Sequence, residues 1–270
     1  MKALKICISL ALILGIGVMG YAGYQLYETN QTYKEGNAAY EELNNMVKKT
    51  TTTANAPQPQ ATEIAVIDFD LPQQQTLEPQ IFIPGLGIDF EALRSINNDS
   101  AAWLYSPGTV IDYPVMKADD YYYYLNHLVD GTVNANGSLF IDYNNAPDFS
   151  GQLTVIYGHH MKSGSMFGGL VGYKEQAYYD EHPYMYLYIE DENFRIDLMY
   201  GTVIGAGQWR DNAFMYEENV GNLLEYVKNN TTFRSSVEYE EGDRIIALST
   251  CSYEFNDARY VVLGILRPEY

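Results

Sequence analysis

Residues 6–24 read ICISLALILGIGVMGYAGY, nineteen positions without a charge. No other feature limits so strongly what this chain can fold into. As a helix the run extends roughly 28 Å at about 1.5 Å per residue, close to the hydrocarbon thickness of a bilayer. Lys2 and Lys5 precede it. By the positive-inside rule they keep residues 1–5 in the cytoplasm and send everything after Tyr24 outward. A cleaved signal peptide is the competing reading, because Gly20-Tyr21-Ala22 offers a small-x-small site. The length of the run favours an uncleaved, single-pass anchor in the cell membrane. Both readings make the rest of the chain extracytoplasmic.

The charge divides in the same way. The chain holds 35 Asp and Glu against 16 Lys and Arg, a net charge of −19, but residues 1–50 hold only 4 and 5 of them. Residues 51–270 therefore carry 31 acidic and 11 basic residues, net −20, as suits a solvated head. That balance excludes nucleic acid as a partner, whose phosphates call for a basic footprint.

Residues 25–49 have helical spacing, with Leu26, Tyr33, Tyr40, Leu43 and Val47 as apolar positions. The composition then shifts. TTTTANAPQPQAT (50–62) and LPQQQTLEPQ (71–80) carry proline and no apolar period, so residues 25–80 read as a helix and a linker. IAVIDF, between the two stretches, has no evident partner. The compact domain is expected over 81–270. Within it the signals are mainly β: strands over 153–157, 185–189, 194–206, 244–250 and 259–266, separated by turn sequences such as Asn136-Gly137 and Glu241-Gly242-Asp243. Helices are expected over 89–96, with Asp89 as N-cap, and over about 217–229. Many short strands and few helices predict a closed or nearly closed antiparallel barrel.

The chemistry rests on few residues. Of two cysteines, Cys7 lies in the apolar run, so Cys251 is alone outside and has no disulfide partner. An unpaired thiol in an oxidising compartment is either buried and inert or used. Cys251 ends the apolar run IIALST, where a side chain is both accessible and rigidly aimed. A reactive thiol needs a base. Among His127, His159, His160 and His182, the adjacent pair His159-His160 also ends a strand, whereas His127 and His182 read as surface or packing residues. Acyl transfer further needs an oxyanion stabiliser. Arg259 opens the last strand eight positions after Cys251, and a short hairpin would bring the two together. Pairing with Glu254 or Asp257 in the same loop is the plain alternative for that guanidinium.

These segments resemble a known family. YGHHMKSGSMFGGL (157–170) and LSTCSYEFNDARYVVLGIL (248–266), in the order His, Cys, Arg, look like the sortases of class B. WLYSPGTVIDYPVM (103–116), YYYYLNH (121–127) and GSLFIDYNN (137–145) are similar to that class as well, so the resemblance covers essentially the whole exported domain. It implies an eight-stranded barrel decorated with helices, one of them between the sixth and seventh strands. It implies cysteine transpeptidation: cleavage of a C-terminal sorting motif of a secreted protein after Thr, then transfer to a peptidoglycan amine or, in some members, a pilin lysine. Matched to this chain, His159 and not His160 is the catalytic imidazole, Cys251 the nucleophile, and Arg259 the group that holds substrate and oxyanion. Ser249 and Thr250 would line the substrate groove, with Asn145 a weaker candidate for its wall. No cofactor and no metal are implied. A papain-like peptidase would reverse the order of Cys and His, and an L,D-transpeptidase would place His and Gly directly before Cys. A catalytically silent wall-binding barrel would have no need of all three residues.

Overall fold

The computed structural model describes residues 2–48, 83–211, 214 and 219–269, with the main chain alone for 2–11. Helix α1 (Lys2–Val47) is unbroken, so the apolar run and the helix expected over 25–49 form one rod. Among the described residues no helix is long and apolar enough to cross a membrane. The predicted span begins at positions 6–11, whose side chains lie outside the described residues; from Leu12 to Tyr21 its large apolar side chains are exposed. From Tyr33 onward the rod lies against the body. Tyr40, Leu43 and Val47 are buried in the main core, whereas Leu26 lies beyond it and is exposed.

Gly36 permits this close approach, since a Cβ there would stand 2.5 Å from Asn136 Nδ2 and 2.7 Å from Asn134 Oδ1. The rod ends in an antiparallel bridge between Lys48 and Ile88, and the Asp89 N–H donates to the Val47 carbonyl at 2.8 Å. The stretches 50–62 and 71–80 and the IAVIDF piece fall outside the described residues. Lys48 and Ile88, on either side of these stretches, are thus paired with each other. Helix α2 (Phe90–Ile96) follows with the expected cap, the Asp89 carboxylate accepting from the Ala92 N–H at 3.0 Å.

Eight strands close a barrel: β1 (Ser100–Tyr105), β2 (Asp112–Lys117), β3 (Leu139–Ile141), β4 (Leu153–Tyr157), β5 (Tyr184–Tyr188), β6 (Asn193–Gly205), β7 (Ile245–Cys251) and β8 (Ala258–Pro268). Their order around the barrel is β1-β2-β3-β4-β7-β8-β6-β5. The expected all-antiparallel arrangement is corrected at two seams, because β2 pairs β3 and β4 pairs β7 in parallel. Parallel neighbours need long crossovers. The β2–β3 crossover is the 118–138 segment, and the β4–β7 crossover carries α3 (Gln176–Glu181), β5, β6, α4 (Ala206–Trp209) and α5 (Val220–Asn229). Helix α5 is the one expected between the sixth and seventh strands.

Two-residue alternation gives β4, β7 and β8 two apolar faces. Ile156, Ile246, Leu248 and Val262 point into the barrel. Val155, Ile245, Ala247 and Val261 point outward and are covered by Val220, Leu223 and Val227 of α5 and by Trp209. A strand buried on both faces is held in register from both sides, and this fixes where its last residues emerge.

Candidate active site

Cys251 is the last residue of β7, half-buried and in no disulfide. Its register partner across β7–β8 is Arg259. Ile245 and Ala247 on one strand, and Val261 and Leu263 on the other, belong to the outer layer. By alternation Ser249, Cys251 and Arg259 share that outer face, and directly opposed side chains have Cβ atoms about 5 Å apart. The hairpin spacing thus places thiol and guanidinium side by side. The Arg259 guanidinium donates from Nη1 to its neighbour's carbonyl, Ala258 O, at 3.0 Å. Among the described residues no carboxylate pairs with it.

Glu254 is committed elsewhere. It pairs with Lys174 and accepts from Ser252 Oγ at 2.6 Å, while Lys174 also donates to Ser252 Oγ at 2.7 Å. Burial of Glu254 works against its ionisation, but the Lys174 ammonium and the Ser252 hydroxyl outweigh it and hold the carboxyl down at about 2. This triad staples the β7–β8 loop immediately after Cys251. Asp257 has a left-handed backbone (φ +60°), and its carbonyl accepts from the Ala206 N–H at 2.8 Å.

The histidine pair is placed by β4. Tyr157 is the register partner of Ser249, and the ladder runs one residue further, the Gly158 N–H donating to Ser249 O at 3.2 Å. Thr250 Oγ1 donates to Gly158 O at 2.8 Å and ties the two strand ends together. Gly158 has no room for a side chain: a Cβ would stand 2.4 Å from Leu139 Cδ2 and 2.7 Å from Phe167 Cδ2. His159 follows at once. Its Nε2 lies 2.7 Å from Leu125 O, in the 3-10 turn Tyr123–Leu125. A carbonyl only accepts, so Nε2 carries the proton and Nδ1 of the neutral ring is the free acceptor. His160 Nδ1 lies 2.9 Å from Cys251 O, and its ring packs at 4.9 Å on that of Tyr253. His160 is thus bound to the main chain of Cys251.

Below the pair, the buried Asp142 carboxylate accepts from Tyr121 and Tyr157 hydroxyls at 2.8 and 2.9 Å. Burial, and next to it the Asp142 charge, raise both phenols above their ordinary value. They remain donors, which locks Tyr157 two positions before His159.

The remaining candidates separate. Thr250 is buried and spent on Gly158, while Ser249 Oγ is buried with no hydrogen-bond partner among the described residues. Asn145 uses both ends of its amide on β4, accepting from the Val155 N–H at 2.8 Å and donating to Leu153 O at 3.0 Å. Leu153 lies at the opposite end of β4 from Gly158 and His159. His127 stacks on Tyr123 at 4.0 Å, and His182 Nδ1 lies 3.1 Å from Pro107 O, as packing residues. The sequence offered no sign of the Leu125 carbonyl, because a main-chain acceptor has no residue signature. Among the described residues no group of three His, Cys, Asp or Glu side chains is placed to hold a metal.

The chain is 33% identical to the sortase B of Listeria monocytogenes over 178 residues, 64% of this chain and 72% of that protein. It belongs to the sortase B family. No family model matches it. Among solved structures, a sortase B–substrate complex from Staphylococcus aureus superposes with a TM-score of 0.61 at 26% identity, covering 66% of this chain and 84% of that one. A class B sortase from Streptococcus pyogenes involved in pilus biogenesis gives a TM-score of 0.60 at 28% identity, covering 67% and 99%. The barrel is the sortase fold.

Proposed function

We propose that this sortase is a membrane-tethered cysteine transpeptidase in which Cys251, His159 and Arg259 carry the reaction. The observation that carries the reading is the register pair Cys251–Arg259 beside a histidine whose Nδ1 is left free. Cys251 gives its proton to His159 Nδ1, and the thiolate attacks the carbonyl of the Thr in a sorting motif. Arg259 donates to the oxyanion that forms. As the C–N bond breaks, His159 returns the proton to the leaving amine, and a thioacyl enzyme remains. An incoming amine then attacks that carbonyl, His159 takes its proton, and the C–S bond breaks to restore the thiol. The unpartnered Ser249 hydroxyl is a groove donor or acceptor for substrate backbone.

The acceptor is a peptidoglycan amine. A pilin lysine is the second reading, favoured by the likeness to the Streptococcus pyogenes pilus enzyme. Secreted proteins with C-terminal sorting signals are the donors. The exposed apolar face from Leu12 to Tyr21, continuous with the charge-free run, supports a single-pass anchor with the barrel outside the membrane.

A peptide library of candidate sorting motifs, incubated with the full chain in detergent and read by mass spectrometry, tests the reading. Cleavage after Thr, a thioacyl adduct on Cys251 and loss of turnover in Cys251→Ala and His159→Ala are expected, with a severe drop in Arg259→Ala. Wild-type turnover in Cys251→Ala overturns it.

A further inference from the structure

The free Nδ1 of His159 depends on Leu125, and Leu125 sits in the β2–β3 crossover, which the barrel does not hold alone. The end of that crossover folds back on its start. The Ser138 N–H donates to Tyr124 O at 2.8 Å, and Ser138 Oγ donates to His127 O at 3.0 Å. Gly137 has φ +57° and lies so close that a Cβ would stand 2.5 Å from Tyr124 O and 2.7 Å from Leu125 O. Whatever holds Gly137 and Ser138 therefore holds the Leu125 carbonyl.

What holds them is helix α1. The buried Tyr40 hydroxyl donates to Gly137 O at 2.6 Å and lies 2.9 Å from Ser138 Oγ. Next to it, Asn136 Nδ2 donates to Asn37 Oδ1 at 2.9 Å, and Asn134 Nδ2 donates to Thr32 O at 3.0 Å. We propose that Tyr40 is a positioning residue for His159: the docked half of α1 clamps Gly137 and Ser138, these fix Leu125, and Leu125 O holds the Nε2 proton. This rests on the acid–base role of His159 proposed above. It makes the N-terminal helix a part of the active-site support as well as a tether.

The test reads the ring itself. The full chain in detergent, with ¹⁵N-labelled histidine, is observed by NMR without substrate, and the exchange of the His159 Nε2 proton with water is measured. Tyr40→Phe removes the clamp hydroxyl; Ser138→Ala removes its partner and serves if Tyr40→Phe does not fold. Tyr188→Phe is the control, an equally buried phenol whose hydroxyl donates to Pro84 O at 2.7 Å. Losing one buried hydrogen bond raises the open population about fivefold. Exchange of the His159 proton should accelerate by that factor or more in Tyr40→Phe and Ser138→Ala and stay at the wild-type rate in Tyr188→Phe, with kcat falling and KM held. Equal exchange in all four proteins, or a wild-type His159 that is not protonated at Nε2, overturns the proposal. Because the exchange is read without turnover, an inactive wild type would sink the transpeptidase reading, while the exchange would still decide whether Tyr40 holds the His159 ring.

Discussion

Gly158 is where packing and chemistry meet most tightly, and Gly158→Ala tests that junction with one methyl group. The added Cβ would stand 2.4 Å from Leu139 Cδ2, 2.7 Å from Phe167 Cδ2 and 2.9 Å from Phe167 Cγ. Leu139 and Phe167 are fully buried, so neither can swing into solvent. Overpacking of this kind costs about 1–3 kcal/mol. At about 2–4 °C per kcal/mol for a domain of this size, Tm should fall by roughly 2–12 °C. The alternative to strain is a shift of the backbone away from β3, and that carries His159 with it, since Gly158 binds Ser249 O and Thr250 Oγ1 at the end of β7. With His159 in the acid–base role proposed for it, a displacement of about 1 Å would cost on the order of 10²-fold in rate.

Thermal melts and kcat/KM measure both effects, and a double mutant separates them from general damage. Leu139→Ala alone leaves a cavity costing about 2–5 kcal/mol. In Leu139→Ala/Gly158→Ala the new methyl occupies part of that space, so the double mutant should be more stable than the summed losses predict by about 1 kcal/mol. Strict additivity, or a single mutant with wild-type Tm and kcat/KM, would refute the steric account of why glycine stands before His159.

Further outcomes follow from the docked helix and the stapled loop. Gly36→Leu should undock α1 from Asn134 and Asn136, seen as a Tm loss of several degrees and faster proteolysis near residue 48. Because Lys48 and Ile88 are bridged, excising residues 52–79 should leave fold and kcat/KM intact; on the reading of 50–80 as linker, the shorter loop should add about 1.1 kcal/mol of stability. A melt at lower Tm would count against that reading. The Glu254 carboxyl sits lower in the folded protein than its ordinary 4.5, so its stabilisation is complete above that value and fades as pH falls toward about 2. The Tm gap between wild type and Glu254→Gln should therefore be full near about pH 6 and shrink below about pH 4; a gap constant down to about pH 2.5 would remove Glu254 from the account.

The placement of Cys251, Arg259 and His159 was legible because each is tied to a local pattern. Eight positions between Cys251 and Arg259 describe a hairpin, and a hairpin makes its partners neighbours by register alone. The β4 run ends at Tyr157 in both sequence and structure, so the position of His159 at a strand mouth needed no tertiary information. Asp89 was recognisable as a cap for the same reason. The parallel seams were not legible, since nothing local in LTVIY or RIIALST specifies a partner some ninety positions away. Strand β3 has only three residues, too few to show alternation. The Glu254 alternative for Arg259 is resolved by Lys174, which arrives from another part of the chain.

The same reasoning explains why helix α1 looked separate from the catalytic domain. Proline and glutamine after residue 50 mark a break in composition, and composition reads as a boundary. The structure joins what lies on either side: Tyr40, Leu43 and Val47 enter the core that also holds Phe90 and Trp103. A helix that began as a rod with no partner becomes, over its last four turns, one wall of the body. Its buried tyrosine donates to Gly137 O, Gly137 packs against the Leu125 carbonyl, and that carbonyl accepts from His159 Nε2, so the docked helix and the candidate site share one support.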